Sequence, residues 1–220
     1  MDLDKIRIAL ELEAQTMKPV TILEGYKLST PAQLPKLRYL DRFMENHSGY
    51  IAGGCFKNLF LGEPIKDIDV FFHTDDDFKS AVEYFDDSDE FEPMWRREDE
   101  SLVTYKCSVT GNLIQLIGTF VGNPAEVVTS FDFTITKAFY CKDEETGEYQ
   151  FYHHDRFFEH LMNKKLVVDD KIKFPVSTFN RSFRYTRYGY GLCGESKSKL
   201  IESLQGVGPV TFTDLYFGID

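Results

Sequence analysis

Apolar residues recur at helical and strand spacings along most of the chain. Leu3, Ile6, Leu10 and Ala14 fall three to four apart, which predicts an amphipathic helix over the first 17 residues. A second helical pattern opens at Pro31 and runs through Leu34, Leu37, Leu40 and Met44. The short run Tyr50-Ile51-Ala52 predicts a buried strand that stops at Gly53-Gly54, and residues 55–61 a helix ended near Gly62. Residues 67–72 alternate acid and apolar before turning wholly apolar, as a strand entering a sheet does. Phe78, Ala81, Val82 and Phe85 share one helical face, and strands follow at 102–107 and 112–118. Pro124 opens a short helix, residues 132–141 are apolar, and 143–152 place a Glu-Thr-Gly turn between aromatic strands. Helices are expected at 155–163, 176–189 and 195–204. The fold class is therefore α+β, a head of mixed sheet with flanking helices over 1–141. A hairpin and helical, neck-like segment follow over 142–220, with the boundary near 141–155.

The chain has 220 residues, 42% of them hydrophobic and 15% aromatic, which argues for a packed core and against disorder. Its net charge of −11 is unevenly laid down. Twelve acids and three bases lie between Asp75 and Glu100, whereas ten bases and four acids lie between Arg156 and Lys199. Acid in the middle and base near the end leave room for an RNA partner approaching from the C-terminal helices. The acidic stretch reads either as a solvated helix and loop or as a surface presented to a basic partner. Cys55, Cys107, Cys141 and Cys193 are far apart, with no CxxC pair, so reduced thiols in a cytoplasmic protein are expected. No segment has the signal-peptide or membrane-span pattern.

The chemistry concentrates between Ala52 and Phe72. A strand ends in two glycines, Gly53 and Gly54, which let backbone approach an anion closely. A dozen residues later, Asp67 and Asp69 project to one face of a strand because side chains repeat every two residues. Two carboxylates side by side suit a hard divalent cation such as Mg²⁺, which also binds phosphate oxygens. Each part alone has an ordinary alternative, a turn for the glycines and a solvated edge for the Asp pair. Their joint spacing is the informative feature. His153, His154 and His160 lack the spacing of a zinc helix, and Trp95 is expected to anchor a strand.

Gly53-Gly54-x-x-Lys57-Asn58-x-x-x-Gly62-x4-Asp67-Ile68-Asp69 resembles the head motif of the polymerase-β-type nucleotidyltransferases, in the bacterial CCA-adding enzyme and poly(A) polymerase group. Phe131-Asp132-Phe133-Thr134-Ile135-Thr136, ending in Tyr140, resembles the same group's ribose-placing segment. Pro175 with Arg181, Arg184 and Arg187 is similar, more loosely, to its neck helix. The resemblance implies a polymerase-β-like head and attack of a hydroxyl on the α-phosphate of a nucleoside triphosphate, with release of pyrophosphate. It implies two-metal Mg²⁺ chemistry on Asp67 and Asp69, a triphosphate seated by Gly53, Gly54 and Lys57, and a ribose held by Asp132. Arg181 and Arg184 would meet the base or phosphates, and the acceptor would be an RNA 3′ end or another hydroxyl.

The departures from that group are specific. Lys57-Asn58 replaces Arg-Asp, Ser130 and Phe131 replace paired arginines, and the strand 113–117 offers Gln115 where a third carboxylate is sought. The helical body that holds tRNA is absent from the pattern, as in a compact genome such as a phage's. Two alternatives therefore stand beside RNA transfer: an inactive fold that binds nucleic acid or protein, such as an anti-defence inhibitor, and nucleotidylation of a protein or small molecule.

Overall fold

Local sequence explains where most elements begin and end. A computed structural model gives the fold of residues 24–168, 172–211 and 213–216; the helix expected over the first 17 residues lies outside them. β1 (Tyr26–Ser29) is followed by a 3-10 helix, Pro35–Met44, that buries Leu37, Leu40, Phe43 and Met44. The helical pattern expected from Pro31 takes hold only at Pro35, whose missing N–H and fixed φ suit a first turn. β2 (Tyr50–Ala52) is buried throughout and gives way, through Gly53 at φ +95°, to α1 (Cys55–Leu61). Gly62 ends α1 at φ +69°, its N–H closing on the carbonyls of Asn58 and Leu59.

β3 (Asp67–Phe72) leads to α2 (Asp75–Asp87). Thr74 caps that helix by accepting from the Asp77 N–H at 3.1 Å, and Asp75, Asp76 and Asp77 sit where its dipole favours negative charge. β4 (Phe91–Arg96), β5 (Leu102–Cys107) and β6 (Leu113–Val121) precede α3 (Pro124–Thr129), capped by Asn123. β7 (Ala138–Lys142) and β8 (Tyr149–His154) form the aromatic hairpin. Then come α4 (Phe157–Met162), β9 (Lys165–Leu166), α5 (Pro175–Arg187), β10 (Gly191–Leu192) and α6 (Gly194–Gln205), with a last 3-10 turn at Thr213–Tyr216.

Eight strands make one mixed sheet in the order β1-β8-β7-β2-β3-β6-β5-β4, and β9 and β10 make a separate parallel pair. β3 and β6 are parallel; the other neighbours in the large sheet are antiparallel. The hairpin β7–β8, which spans the boundary expected near 141–155, pairs in the same sheet as the Asp67–Asp69 strand. Aromatic side chains fill the core, among them Tyr50, Phe56, Phe71, Phe131, Phe133 and Phe151, each below 2% exposed. At Gly118 a Cβ would meet the Phe78 ring at 2.8 Å, so α2 lies directly on β6 there.

Within the apolar run 132–141, residues 134–136 form a turn ahead of β7, the Thr136 hydroxyl donating to the Phe133 carbonyl at 2.9 Å, and Phe133 makes a single antiparallel bridge to Val168. β4 has no counterpart in the hydrophobic pattern, because every residue after Phe91 is exposed. Trp95, expected as a strand anchor, is 54% exposed on that edge strand.

Candidate active site

β2 and β3 pair antiparallel with Ile51 opposite Val70, which brings Gly54 to the Asp67 end of β3. On the other side, β6 runs parallel with Leu113 opposite Asp67 and Gln115 opposite Asp69. Asp67, Asp69 and Gln115 therefore share one sheet face, and all three line a cleft of about 840 Å³ roofed by α5. Pro175 starts α5, which turns Val176, Thr178, Ser182 and Tyr185 into the core while Asn180, Arg184 and Arg187 line the cleft.

Asp67 is exposed and Asp69 half-buried, and neither has an ion pair among the described residues. The Asp69 carboxyl is pushed up to about 8, by burial first and the charge of Asp67 second, with Arg184 acting in the opposite direction. Cys55 lies beneath the pair; burial and then the two aspartates hold its thiol well above the usual range, so it stays protonated.

One end of the cleft, beside Gly54, is cationic. Lys57 is 6% exposed, donates to the Asn58 side-chain oxygen and lies 5.3 Å from the Tyr188 ring centroid. Burial lowers its ammonium below the usual lysine range. Lys66 lies 4.9 Å from the same ring and donates to the Tyr188 hydroxyl at 2.8 Å. Gly54 lines the cleft, while the Gly53 N–H is taken by the Ala138 carbonyl at 3.1 Å, which ties the glycine turn to β7.

Asp132 and Arg181 come together, as partners of each other. Asp132 is 5% exposed and accepts from the Thr178 hydroxyl at 2.7 Å and from Arg181 Nε at 2.5 Å, with Arg181 Nη2 on the same oxygen. Burial raises the Asp132 carboxyl despite that guanidinium. Asp132 therefore fixes α5 to the sheet, and its oxygens face α5 rather than the cleft. Arg181, Arg184 and Arg187 all line the cleft. Among the histidines, His160 Nδ1 pairs with the Thr134 hydroxyl at 2.7 Å, and His153 sits between Ser29 and the His154 carbonyl.

The other end of the cleft is formed by Arg97, Leu102, Ile117, Phe120, Ser177 and Phe183. None was marked by the sequence. Lys66, next to Asp67, was visible in the motif, and the acids of the β4–β5 turn belonged to the acidic stretch 75–100; Ser177 carried no signal, since only the sheet order brings it to Arg97.

These features define a nucleotidyltransferase-type fold, and solved structures agree. A CCA-adding enzyme in complex with CTP superposes with a TM-score of 0.60 at 15% identity, over 86% of this chain and 48% of that one. The Thermotoga maritima CCA-adding enzyme complexed with tRNA gives 0.52 at 15% identity, over 80% and 43%. A CCA-adding enzyme with ATP gives 0.55 at 14%, over 80% and 44%. The chain spans less than half the length of these enzymes. No protein of curated function matches it in sequence. Residues 29–164, more than half of the chain, match the model of the Gad2 (Gabija anti-defense 2) family, and the chain belongs to that family. No helix among the described residues is long and apolar enough to cross a membrane.

Proposed function

We propose that the chain is a nucleotidyltransferase that moves a nucleoside monophosphate from a triphosphate to a hydroxyl acceptor, and that it uses this activity against the Gabija defence. The observation that carries the reading is the Asp67–Asp69 pair on the cleft floor, with no ion pair among the described residues, beside a wall of Lys57, Lys66 and Arg184.

The donor set fits a hard divalent cation: two carboxylates on one strand face, one of them raised to about 8 by burial and by its neighbour's charge. Asp67 and Asp69 would hold Mg²⁺; no group of three His, Cys, Asp or Glu side chains suited to a metal occurs among the described residues. When bound, the ion supplies charge neutralisation at the phosphates and lowers the pKa of the attacking hydroxyl. Lys57 and Lys66 bind the β- and γ-phosphates at the Gly54 end. Arg184 and Arg187 hold charge along the α5 wall, and Arg181, fixed by Asp132, keeps that wall in place.

One observation favours a second reading, an inactive fold that acts by binding. Gln115 stands directly beside Asp69, at the register position where a further carboxylate is sought.

The test is incubation with each α-labelled nucleoside triphosphate and Mg²⁺, alongside plaque counts on Gabija-bearing cells that express the chain. Asp67→Asn/Asp69→Asn is expected to lose at least about 100-fold in label transfer and pyrophosphate release and to lose protection of the phage. Protection that persists in the double variant would establish the binding-only reading.

A further inference from the structure

We propose that the acceptor is a basic polypeptide segment carrying a hydroxyl side chain, best matched by tyrosine, received at the β4–β5 end of the cleft. The inference rests on the nucleotidyl-transfer reading above and names its acceptor.

Arg97 and Leu102 close the β4–β5 turn, the Leu102 carbonyl accepting from the Arg97 N–H at 2.9 Å, and both line the cleft. Between them in the chain, Glu98, Asp99 and Glu100 are exposed on the turn that carries Arg97 into the cleft, so their charge lies beside its rim rather than in its lining. Arg97 is paired with Asp99 at 2.8 Å, Arg96 with Asp86 at 2.8 Å, and Lys79 with Asp76 at 3.8 Å. Each of the three bases of segment 75–100 thus faces an acid of the same segment. Glu98, Glu100, Asp87, Asp89 and Glu92 have no ion pair among the described residues. A nucleic-acid backbone brought to this rim meets like charge, whereas a Lys- or Arg-bearing segment is attracted.

Inside the mouth, Leu102, Ile117, Phe120 and Phe183 present apolar walls. Ser177, on the same wall, is 1% exposed, and its hydroxyl has no hydrogen-bond partner among the described residues. A buried hydroxyl left unpaired costs about 1–3 kcal/mol, which a ligand's polar atom recovers on binding. Ile117 lies two residues beyond Gln115, about 7 Å of strand. A tyrosyl side chain spans that distance and fills apolar walls; serine does neither. Nearby, Met94 and Trp95 are 52% and 54% exposed on β4, the last strand of the sheet, whose outer edge pairs with no described residue and could receive a further extended segment.

In the reaction the side-chain oxygen bonds to the α-phosphorus, and the bond from that phosphorus to the α–β bridging oxygen breaks. Pyrophosphate leaves with the electron pair, and the hydroxyl proton passes to water.

The experiment offers three acceptors to the full chain with Mg²⁺ and α-labelled triphosphates: a random lysine–tyrosine copolymer, a glutamate–tyrosine copolymer and a single-stranded RNA oligomer. Nucleotide binding is followed separately by fluorescence of a labelled triphosphate analogue. Labelling of the lysine copolymer is expected to exceed that of the other two at least tenfold. The Glu98→Lys/Glu100→Lys variant is expected to invert the preference between the copolymers, which a merely structural role would not do. Ser177→Ala is expected to raise the KM for the lysine copolymer several-fold. Preferential labelling of RNA, or nucleotide binding with no polypeptide labelled, overturns the inference while nucleotide handling stands. Absence of both nucleotide binding and pyrophosphate release overturns the underlying reading and the inference with it.

Discussion

The two ends of the cleft share a sheet face and a roofing helix, yet they carry opposite charge. At the Gly54 end, Lys57 and Lys66 converge over the Tyr188 ring. At the hairpin end, Glu98, Asp99 and Glu100 are exposed on the turn that carries Arg97 into the cleft; Arg96 and Arg97 are paired with acids, and Lys173 lies 5.9 Å from the Phe120 ring. Sheet order creates the contrast: β2 and β3 place the glycine turn on one side of Asp67 and Asp69, and β6 and β5 place the acidic turn on the other. A net charge of −11 thus conceals a cleft suited to an anion at one end and a cation at the other.

The largest perturbation removes the wall common to both ends. Asp132→Ala leaves Arg181 buried without its carboxylate, at a cost of about 3–5 kcal/mol. For a chain of this size that lowers Tm by roughly 10 °C in thermal denaturation. Asp132→Ala/Arg181→Met is expected to recover much of the loss, because no charge is then stranded. A drop below about 2 °C for the single variant would show that the pair does not hold α5 in place.

A smaller and more selective change touches one end only. Lys66→Met removes a cation and its bond to the Tyr188 hydroxyl, and the KM for the triphosphate is expected to rise about tenfold, or 1.4 kcal/mol. The preference for basic acceptors, set at the other end, should persist in steady-state assays. Loss of that preference in Lys66→Met would show that the two ends are not independent.

The smallest effect separates charge contrast from stability. His47, His153 and His160 are all held below the ordinary 6.5, in each case by burial first. Below about 6.5 these three side chains bind protons in the unfolded chain that they do not bind in the folded one, so their contribution to stability falls as pH drops through that window. Asp99 at the hairpin is lowered, chiefly by the Ser101 hydroxyl and N–H, and stays ionised throughout. Asp69, raised to about 8, takes up its proton in the folded chain over the same window and acts in the opposite direction, so the histidine contribution is read from a variant: relative to the parent chain, the Tm of His160→Gln is expected to be higher at pH 5 than at pH 7, and a Tm difference that does not change with pH would contradict the sign.

Legibility in the sequence followed how local each cause is. Strands β2, β3 and β5 and helices α1 and α5 announced themselves through periodicity, Gly53-Gly54, Gly62 and Pro175, because caps and alternation act within a few residues. β4 did not, since a solvated edge strand has no buried face to write into the pattern. Asp67 and Asp69 were legible as a pair because strand geometry alone puts them on one face. Asp132 was legible as special, but its partner was not: the Asp132–Arg181 pair joins residues 49 apart, and nothing local encodes it.

The sequence by itself determined the head motif, the mixed α+β class and the uneven distribution of charge, all of which depend on neighbouring residues or on spacing along one element. Only the tertiary structure decided that Gln115 sits against Asp69, that Arg181 is bound to a buried carboxylate, and that the unpaired Ser177 hydroxyl shares a cleft with Arg97. Those relations depend on strand order and register, which follow from how the whole set of apolar faces can be buried at once.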